Sequence, residues 1–353
     1  MFSPKFSVSF DIKYNLVEID RLKYRIERML IMPKHEEWLR REAFIRTAYS
    51  STMIENATIT EDEMEHAVKP SLVASVPKER QDVVNYRKAL EFVDFLSDMG
   101  DIAIPAESII RQIHWSLMAG IHDTQNRPGQ YRNGPNWIED RGVKVYEPPF
   151  HIDAPILMKE FSEWLKNDKG TSPVLKAGIA HLHLVAIHPF VDGNGRTARL
   201  FTTFLLQSSE YGFRKLLSLD AYYQRDRDDY IEALRQTVGN QFQNEYDSTE
   251  WLKFFTESLV VQARLLEKKL TDWRMGVEEI HRDLGNSGLN GRQIDGLIYA
   301  TRMGYITRKD YAEIANVSLL TASRDLSGLV QRNLLKPEGM GRNRRYNIRQ
   351  PQG

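Results

Sequence analysis

One twelve-residue stretch constrains this chain more than any other: His188-Pro-Phe-Val-Asp-Gly-Asn-Gly-Arg-Thr-Ala-Arg199. Before it, Leu175, Ile179, Leu182 and Ala186 recur at the helical period, and after it Leu200, Phe204 and Leu205 resume the pattern. Pro189 cannot continue the first helix, and Gly193 and Gly195 break the chain before the second begins. The fold must therefore accommodate two helices joined by a tight, glycine-containing loop.

The same stretch has the parts needed to hold a nucleotide's phosphates. Gly193-Asn194-Gly195 can turn several backbone N–H groups inward as an anion-binding nest. The helix that follows presents its positive N-terminal end to the same spot. Arg196 and Arg199 are three residues apart, share a face of that helix and can both reach phosphate oxygens. Asp192 suits a Mg²⁺ ligand, because Mg²⁺ usually takes one or two carboxylates plus substrate phosphates. His188, at the end of the preceding helix, is placed to act as a base on an incoming hydroxyl. Taken singly, each residue has a plainer reading: a helix-end histidine as a cap, Gly-Asn-Gly as a turn, two arginines as a solvated face. Base, carboxylate, nest and cations in that order within twelve residues favour the phosphate site.

Most of the remaining chain carries helical periodicity. Trp38, Leu39, Ala43, Phe44 and Ile45 begin an apolar face that runs to Ile54, where Asn56 can end the helix in a left-handed conformation. Thr60 and Glu63 have capping-box spacing and predict another helix start. Helices are also expected over Arg80 to Asp98, Pro105 to Ala119, Ile156 to Leu165 and Trp251 to Met275. From Thr124 to Pro149 prolines, glycines and asparagines dictate turns and short extended pieces. There Gly142 to Tyr146 alternates as a strand, and Gln130-Tyr131-Arg132 is its expected hairpin partner. His181 and His183 stand two apart on a helix, so they point in different directions and read as packing residues rather than joint metal ligands.

Composition narrows the function classes. With 48 Lys+Arg against 48 Asp+Glu, the whole surface is not built for nucleic acid or anionic membrane, though a local patch can be. The absence of cysteine excludes disulfides, a thiol nucleophile and cysteine-ligated zinc. No apolar run approaches the ~18 residues a membrane span needs, and Met1 to Phe10 lacks a signal-peptide core, so a cytoplasmic location away from the membrane is expected.

The stretch His-Pro-Phe-x-Asp-Gly-Asn-Gly-Arg-x-x-Arg resembles in full the signature of Fic-domain enzymes, most of which transfer AMP from ATP to a protein hydroxyl. Ala180 to Ile187 is similar to the family's helix before the motif. Pro128-Gly129-Gln130-Tyr131-Arg132 with Asn136-Trp137-Ile138 resembles its substrate-positioning flap. The resemblance implies that His188 deprotonates the target hydroxyl and that Asp192 holds Mg²⁺. It further implies that Gly193, Asn194, Gly195 and Arg196 cradle phosphate oxygens while Arg199 pairs with the γ-phosphate. Gly129, Gln130, Tyr131 and Arg132 would belong to the flap, which can align a target segment by strand addition. Tyr230 matches a family tyrosine that contacts nucleotide, while Ile231 stands where a second tyrosine often occurs.

Ser51-Thr-Met-Ile-Glu55-Asn56 resembles the family's inhibitory motif. Ser51 and Glu55 face the same way on a helix. The resemblance implies that Glu55 forms a bidentate pair with Arg199 and takes the guanidinium from the γ-phosphate, leaving ATP misaligned. In some such relatives the same glutamate supports removal of AMP.

The C-terminal segment differs in charge: between Gly285 and Gly353 stand eleven Lys/Arg and five Asp/Glu. Thr307 and Asp310 have capping-box spacing, Ser318 is a plausible N-cap, and the arrangement resembles a winged helix-turn-helix. Its second helix would present Thr321 and Arg324 to DNA, and its wing Arg342, Arg344 and Arg345. Such modules also dock proteins, so both readings stay open.

The expected fold is mainly α: a Fic-type helical core with a small β-hairpin flap, plus a C-terminal winged helix-turn-helix. The expected divisions are 1–100, carrying the inhibitory helix, 101–280, the catalytic core and its helical extension, and 281–353. The expected function is ATP-dependent, Mg²⁺-assisted transfer of AMP to Ser, Thr or Tyr of a target protein or of the chain itself, restrained by Glu55, in a homodimer. The alternative is a DNA-binding regulator whose Fic core senses nucleotide or modifies itself.

Overall fold

The computed structural model describes residues 2–31, 33–55, 78–100, 104–120, 127–140, 142–285, 287–340 and 344–349. The chain forms two compact units. The first holds Met1–Glu27 and Glu42–Leu266, the second Arg28–Arg41 and Glu267–Gly353.

The first unit is built around a helix that is apolar on every side. Helix α6 (Pro173–Ile187) buries Val174, Leu175, Ile179, Leu182, Leu184 and Ile187, so it can only be central. Ser172 caps its start by accepting from the Leu175 N–H, and Pro173 supplies a preset φ at its first turn. Helix α7 (Asn194–Ser208) returns against it with Ala198, Leu200, Phe201 and Phe204 in the shared core. Helices α3 (Lys78–Asp98) and α4 (Ala106–Met118) pack on α7, and α5 (Ala154–Asn167) packs on α4 and α6. The chain also forms helices α1 (Phe10–Glu27), α2 (Pro33–Ile54), α8 (Leu219–Arg225), α9 (Arg227–Val238) and α10 (Thr249–Leu284); α2 and α10 each contribute residues to both units.

A two-stranded hairpin projects from this unit. Strand β1 (Ile138–Asp140) pairs antiparallel with β2 (Val143–Tyr146), with Glu139 opposite Lys144. The expected pairing of β2 with Gln130-Tyr131-Arg132 is thus incorrect. Arg132 is buried and its N–H bonds the Pro189 carbonyl at 2.9 Å, so this segment is tied to the loop after α6 and cannot serve as a hairpin edge. Helix α10 also runs nine residues past the expected end at Met275, to Leu284.

The second unit has its own core of Ile298, Ala300, Ile306, Tyr311, Ala322, Leu326, Leu329 and Leu335. Helix α11 (Gly291–Met303) leads into β3 (Tyr305–Thr307), α12 (Arg308–Ile314), α13 (Leu319–Gln331), β4 (Leu335–Glu338) and β5 (Arg345–Ile348). The antiparallel sheet has the order β3-β5-β4, with Tyr305 opposite Asn347 and Leu335 opposite Ile348. Thr307 and Asp310 close a capping box on α12, and Ser318 caps α13.

Candidate active site

The loop between α6 and α7 is held by side chains that bond its backbone. His188 ends α6 in a left-handed conformation (φ 49°, ψ 56°), which costs a non-glycine residue on the order of 1 kcal/mol. It is retained because its N–H bonds the Leu184 carbonyl at 3.0 Å and its own carbonyl accepts from Arg132 Nε at 2.9 Å. The Arg132 guanidinium also donates to the carbonyls of Gly134 and Pro149, so its side chain is given over to holding loops together. Asn194 closes the turn by accepting from the Phe190 N–H at 2.9 Å and donating to the Phe190 carbonyl at 3.0 Å. Asn136 donates to the Phe190 and Val191 carbonyls.

His114, which sequence reasoning passed over, joins the two loops. Its ring stacks on Phe190 at 3.7 Å with planes 4° apart. Nδ1 accepts from the Gly129 N–H at 2.9 Å, so Nε2 carries the proton and donates to the Asp192 carbonyl at 3.0 Å. Burial pushes this imidazole down to about 4, so it stays neutral and keeps that tautomer. The only signal in sequence was a histidine on the apolar face of Ile109, Ile110, Ile113 and Leu117.

The His188 imidazole has the state a base needs. Burial lowers it to about 4, against the opposing pull of the Val185 carbonyl and of Glu55 and Asp192. Its Nδ1 lies 3.4 Å from the Val185 carbonyl, which favours a proton there and leaves Nε2 with a lone pair.

After the loop comes the first turn of α7. Gly193 starts it at φ +73°, a left-handed value that favours glycine. Gly195 serves close approach: a β-carbon there would lie 2.7 Å from Glu55 Oε1 and 3.1 Å from Arg199 Nη1. Arg196 is buried, with Nη1 3.5 Å from Asp82 and Nη2 3.5 Å from Asp192.

Arg199 is surrounded by oxygen. Its Nε donates to Ser51 Oγ at 2.9 Å and lies 3.1 Å from Asp220 Oδ1. Its Nη2 donates to the Ser51 carbonyl at 3.1 Å and to Glu55 Oε1 at 2.8 Å. Burial works against the charge, but Glu55, Tyr230, Asp220 and Tyr86 outweigh it and hold the guanidinium protonated. The expected bidentate Glu55–Arg199 pair is a single hydrogen bond instead, because Ser51 and Asp220 already take the Nε edge. Burial raises Glu55, yet the Arg199 and Arg196 charges bring it below the usual carboxylate range. Asp220 is a second residue missed in sequence, where an aspartate in the first turn of α8 looks like an ordinary helix-start acid.

A cavity of about 500 Å³ opens beside these groups, lined by Glu55, His188, Gly195 and Arg199 below, Ile138 and Tyr146 of the hairpin on one side, and Tyr230 and Arg235 of α9 on the other. That volume suits a ligand of nucleotide size. Tyr230 stacks on Tyr223 at 4.5 Å, and its hydroxyl bonds His181 Nε2 at 2.9 Å. His181 and His183 are both buried, each against a tyrosine hydroxyl, the latter that of Tyr246.

The remaining expected residues fall elsewhere. Gly129 lies against Arg111 and Trp115 of α4, Tyr131 packs on Phe190, and Gln130 is exposed. In the second unit Arg324, Arg344 and Arg345 are exposed, Arg345 over the Tyr305 ring at 4.4 Å, while Thr321 is half-buried against Ser318. Asn56, the Thr60–Glu63 helix start and Arg342 lie outside the described residues.

The loop thus sets a neutral histidine before a left-handed glycine turn and two arginines on the helix after it, all between two packed helices. Residues 104–206 match the Fic/DOC family model. The chain carries a Fic domain there. It is 29% identical over 226 residues to a protein adenylyltransferase Fic of Nematostella vectensis, covering 62% of this chain and 49% of that protein. A protein of the same name from Drosophila virilis is 29% identical over 176 residues, covering 49% of this chain and 34% of the relative. The chain thus spans half or less of the length of these relatives. A Fic family protein from Desulfovibrio desulfuricans G20 shares the fold over 100% of this chain and 99% of its own, with a TM-score of 0.67 at 23% identity. Fic-1 (residues 134–508) from C. elegans matches over 75% of this chain and 73% of its own, with a TM-score of 0.57 at 19% identity.

No described helix is long and apolar enough to cross a membrane.

Proposed function

We propose that this chain is a protein adenylyltransferase that moves AMP from ATP to a Ser, Thr or Tyr hydroxyl of a target protein or of itself. The observation that carries the reading is the neutral His188 imidazole on the same cavity as the Gly195 nest and Arg199. His188 Nε2 takes the proton of the target hydroxyl as its oxygen bonds the α-phosphorus. The bond to the pyrophosphate oxygen breaks, and pyrophosphate leaves. The nest N–H groups with Arg196 and Arg199 offset the phosphate charge, which is the chief demand of such a transfer.

Asp192 fits a Mg²⁺ ligand. Its carboxylate is 61% exposed at the mouth of the nest, with one oxygen on the Gly193 N–H and the other no nearer than 3.5 Å to Arg196 Nη2. One exposed carboxylate is what such an ion needs, because Mg²⁺ usually takes one or two carboxylates plus substrate phosphates. Bound there, Mg²⁺ would neutralise phosphate charge. Tyr230, on the cavity wall, is proposed to contact the nucleotide, and the hairpin beside it to align the target segment.

Glu55 is proposed to restrain the reaction by holding Arg199 and by placing its own carboxylate at the nest. It is also proposed to support AMP removal, checked by incubating AMPylated target without ATP and measuring free AMP. The transfer itself is tested by purifying Glu55→Gly, treating it with ATP and measuring adduct mass; an unmodified chain and unmodified targets would refute it.

A second reading concerns the C-terminal unit. The β3-α12-α13-β4-β5 arrangement with exposed Arg324, Arg344 and Arg345 supports duplex DNA contact. Binding should weaken steeply with salt and be lost in Arg344→Ala with Arg345→Ala; absence of binding at low salt would end the idea. A homodimer is proposed as well, checked by sedimentation velocity of the full chain.

A further inference from the structure

Asp220 is a buried carboxylate that the proposed transfer does not use. It stands in the first turn of α8, whose start Ser218 caps by accepting from the Ala221 N–H, and its side chain is 3% exposed. A carboxylate taken that far from water is costly unless a cation and hydrogen bonds meet it. Here they do. Arg199 Nε lies 3.1 Å from Oδ1, and the Tyr86 hydroxyl donates to the same oxygen at 3.4 Å. Ser51, which accepts from Arg199 Nε through its Oγ, bonds the Asp220 carboxylate as well.

The two carboxylates on Arg199 are unequal. Glu55, on Nη2, is 43% exposed and stands on the cavity wall. Asp220, on Nε, is shut off from solvent. An anion entering the cavity can take the place of Glu55, while the bond to Asp220 stays out of its reach.

We infer that Asp220 is the positioning residue for Arg199. Resting on the AMP-transfer reading of the site, it pins the Nε edge of the guanidinium so that, once Glu55 gives way, the Nη groups stay turned to the first turn of α7 and receive the outer phosphates of ATP.

Two arguments support the assignment. The first is geometric. A guanidinium is a rigid planar fork, so holding Nε on one side sets the direction of both Nη groups. Nη1 then stands at the positive end of α7, where a β-carbon on Gly195 would lie 3.1 Å from it. An arginine already held in that pose loses less side-chain freedom when a phosphate arrives. The second is charge. Among the described residues Glu55 and Asp220 are the carboxylates that pair with Arg199. With Glu55 displaced, Asp220 keeps the guanidinium from standing as a buried charge without a partner.

Glu55→Gly supplies the open site, and ATP and AMP are the probes, titrated calorimetrically with Mg²⁺ present. ATP carries the outer phosphates that Arg199 would receive, and AMP lacks them. Adding Asp220→Ala should weaken ATP binding at least tenfold, a change of about 1.4 kcal/mol, and leave AMP binding within about twofold. A merely structural loss would weaken both alike. Asp220→Asn keeps an acceptor oxygen, though a neutral one, and should bring ATP binding to within about threefold of the Glu55→Gly parent. Circular dichroism melting identifies a variant that fails to fold; Asp220→Ser, too short to hold Nε, then takes the place of Asp220→Ala. Unweakened ATP binding in the folded Ala or Ser variant, equal weakening of ATP and AMP, or Asp220→Asn no better than Asp220→Ala would each overturn the assignment. Glu55→Gly binding ATP no more tightly than AMP would refute the role given to Arg199 itself, and the assignment of Asp220 with it.

Discussion

Glu55 Oε1 lies 2.8 Å from Arg199 Nη2, and a β-carbon on Gly195 would sit 2.7 Å from the same oxygen. The carboxylate therefore rests on the first turn of α7, the positive helix end where a phosphate would also bind. A nucleotide phosphate bound as proposed would compete with this carboxylate for one place and for one arginine.

Removing that anion should release the site. Glu55→Gly is expected to raise AMP transfer from labelled ATP at least tenfold, a change worth about 1.4 kcal/mol of barrier. Adding His188→Ala should return the signal to background. Equal labelling of Glu55→Gly and the unaltered chain would count against the restraint.

Asp192 is exposed, so its replacement should leave the fold intact while weakening phosphate neutralisation. In the Glu55→Gly background, Asp192→Asn should lower transfer at least 100-fold, and a chelator should do the same to the parent in a way that added Mg²⁺ reverses. An unchanged melting temperature alongside lost transfer separates this role from a structural one.

His114 acts by position. His114→Ala leaves the Gly129 N–H and the Asp192 carbonyl without their partner and removes the stack on Phe190. A loss of about 2–5 kcal/mol in urea unfolding is expected, since each orphaned buried group costs about 1–3 kcal/mol. A destabilisation under 1 kcal/mol would show that the loop does not depend on this contact.

Acid should unfold the chain early. Burial lowers His114 and His188 to about 4 and His181 and His183 to about 3, below the ordinary value near 6.5. Between those values the unfolded chain binds more protons than the folded one, so stability is complete above pH 6.5 and falls as pH drops toward 4. Melting temperature should be nearly level from pH 7 to 8 and decline steeply below pH 6. A flat profile down to pH 4.5 would contradict the buried neutral histidines.

Much of the loop was legible because its meaning is local. Pro189, Gly193 and Gly195 act through backbone geometry that neighbouring residues set, and Arg196 and Arg199 share a face by helical period alone. The caps at Thr307 and Ser318 were readable for the same reason. His114 and Asp220 were not, since their partners lie 78 and 21 residues away and only packing brings them together. The hairpin partner of β2 was misassigned because alternation marks a strand without naming its neighbour. The choice fell to Arg132, whose buried bonds draw its segment under the loop and leave Ile138–Asp140 as the edge.

By itself the amino-acid sequence determined the helix breaks, the glycine-containing turn, the order of His188, Asp192, Arg196 and Arg199, and the exclusion of thiol chemistry. Each depends on spacing along the chain or on the presence of a residue type. The tertiary structure decided that Glu55 meets Arg199 through one hydrogen bond, that His188 is neutral, and that a single cavity joins the loop to the hairpin and α9. Those outcomes depend on burial and on how many neighbours converge on one guanidinium, quantities that exist only once distant segments pack.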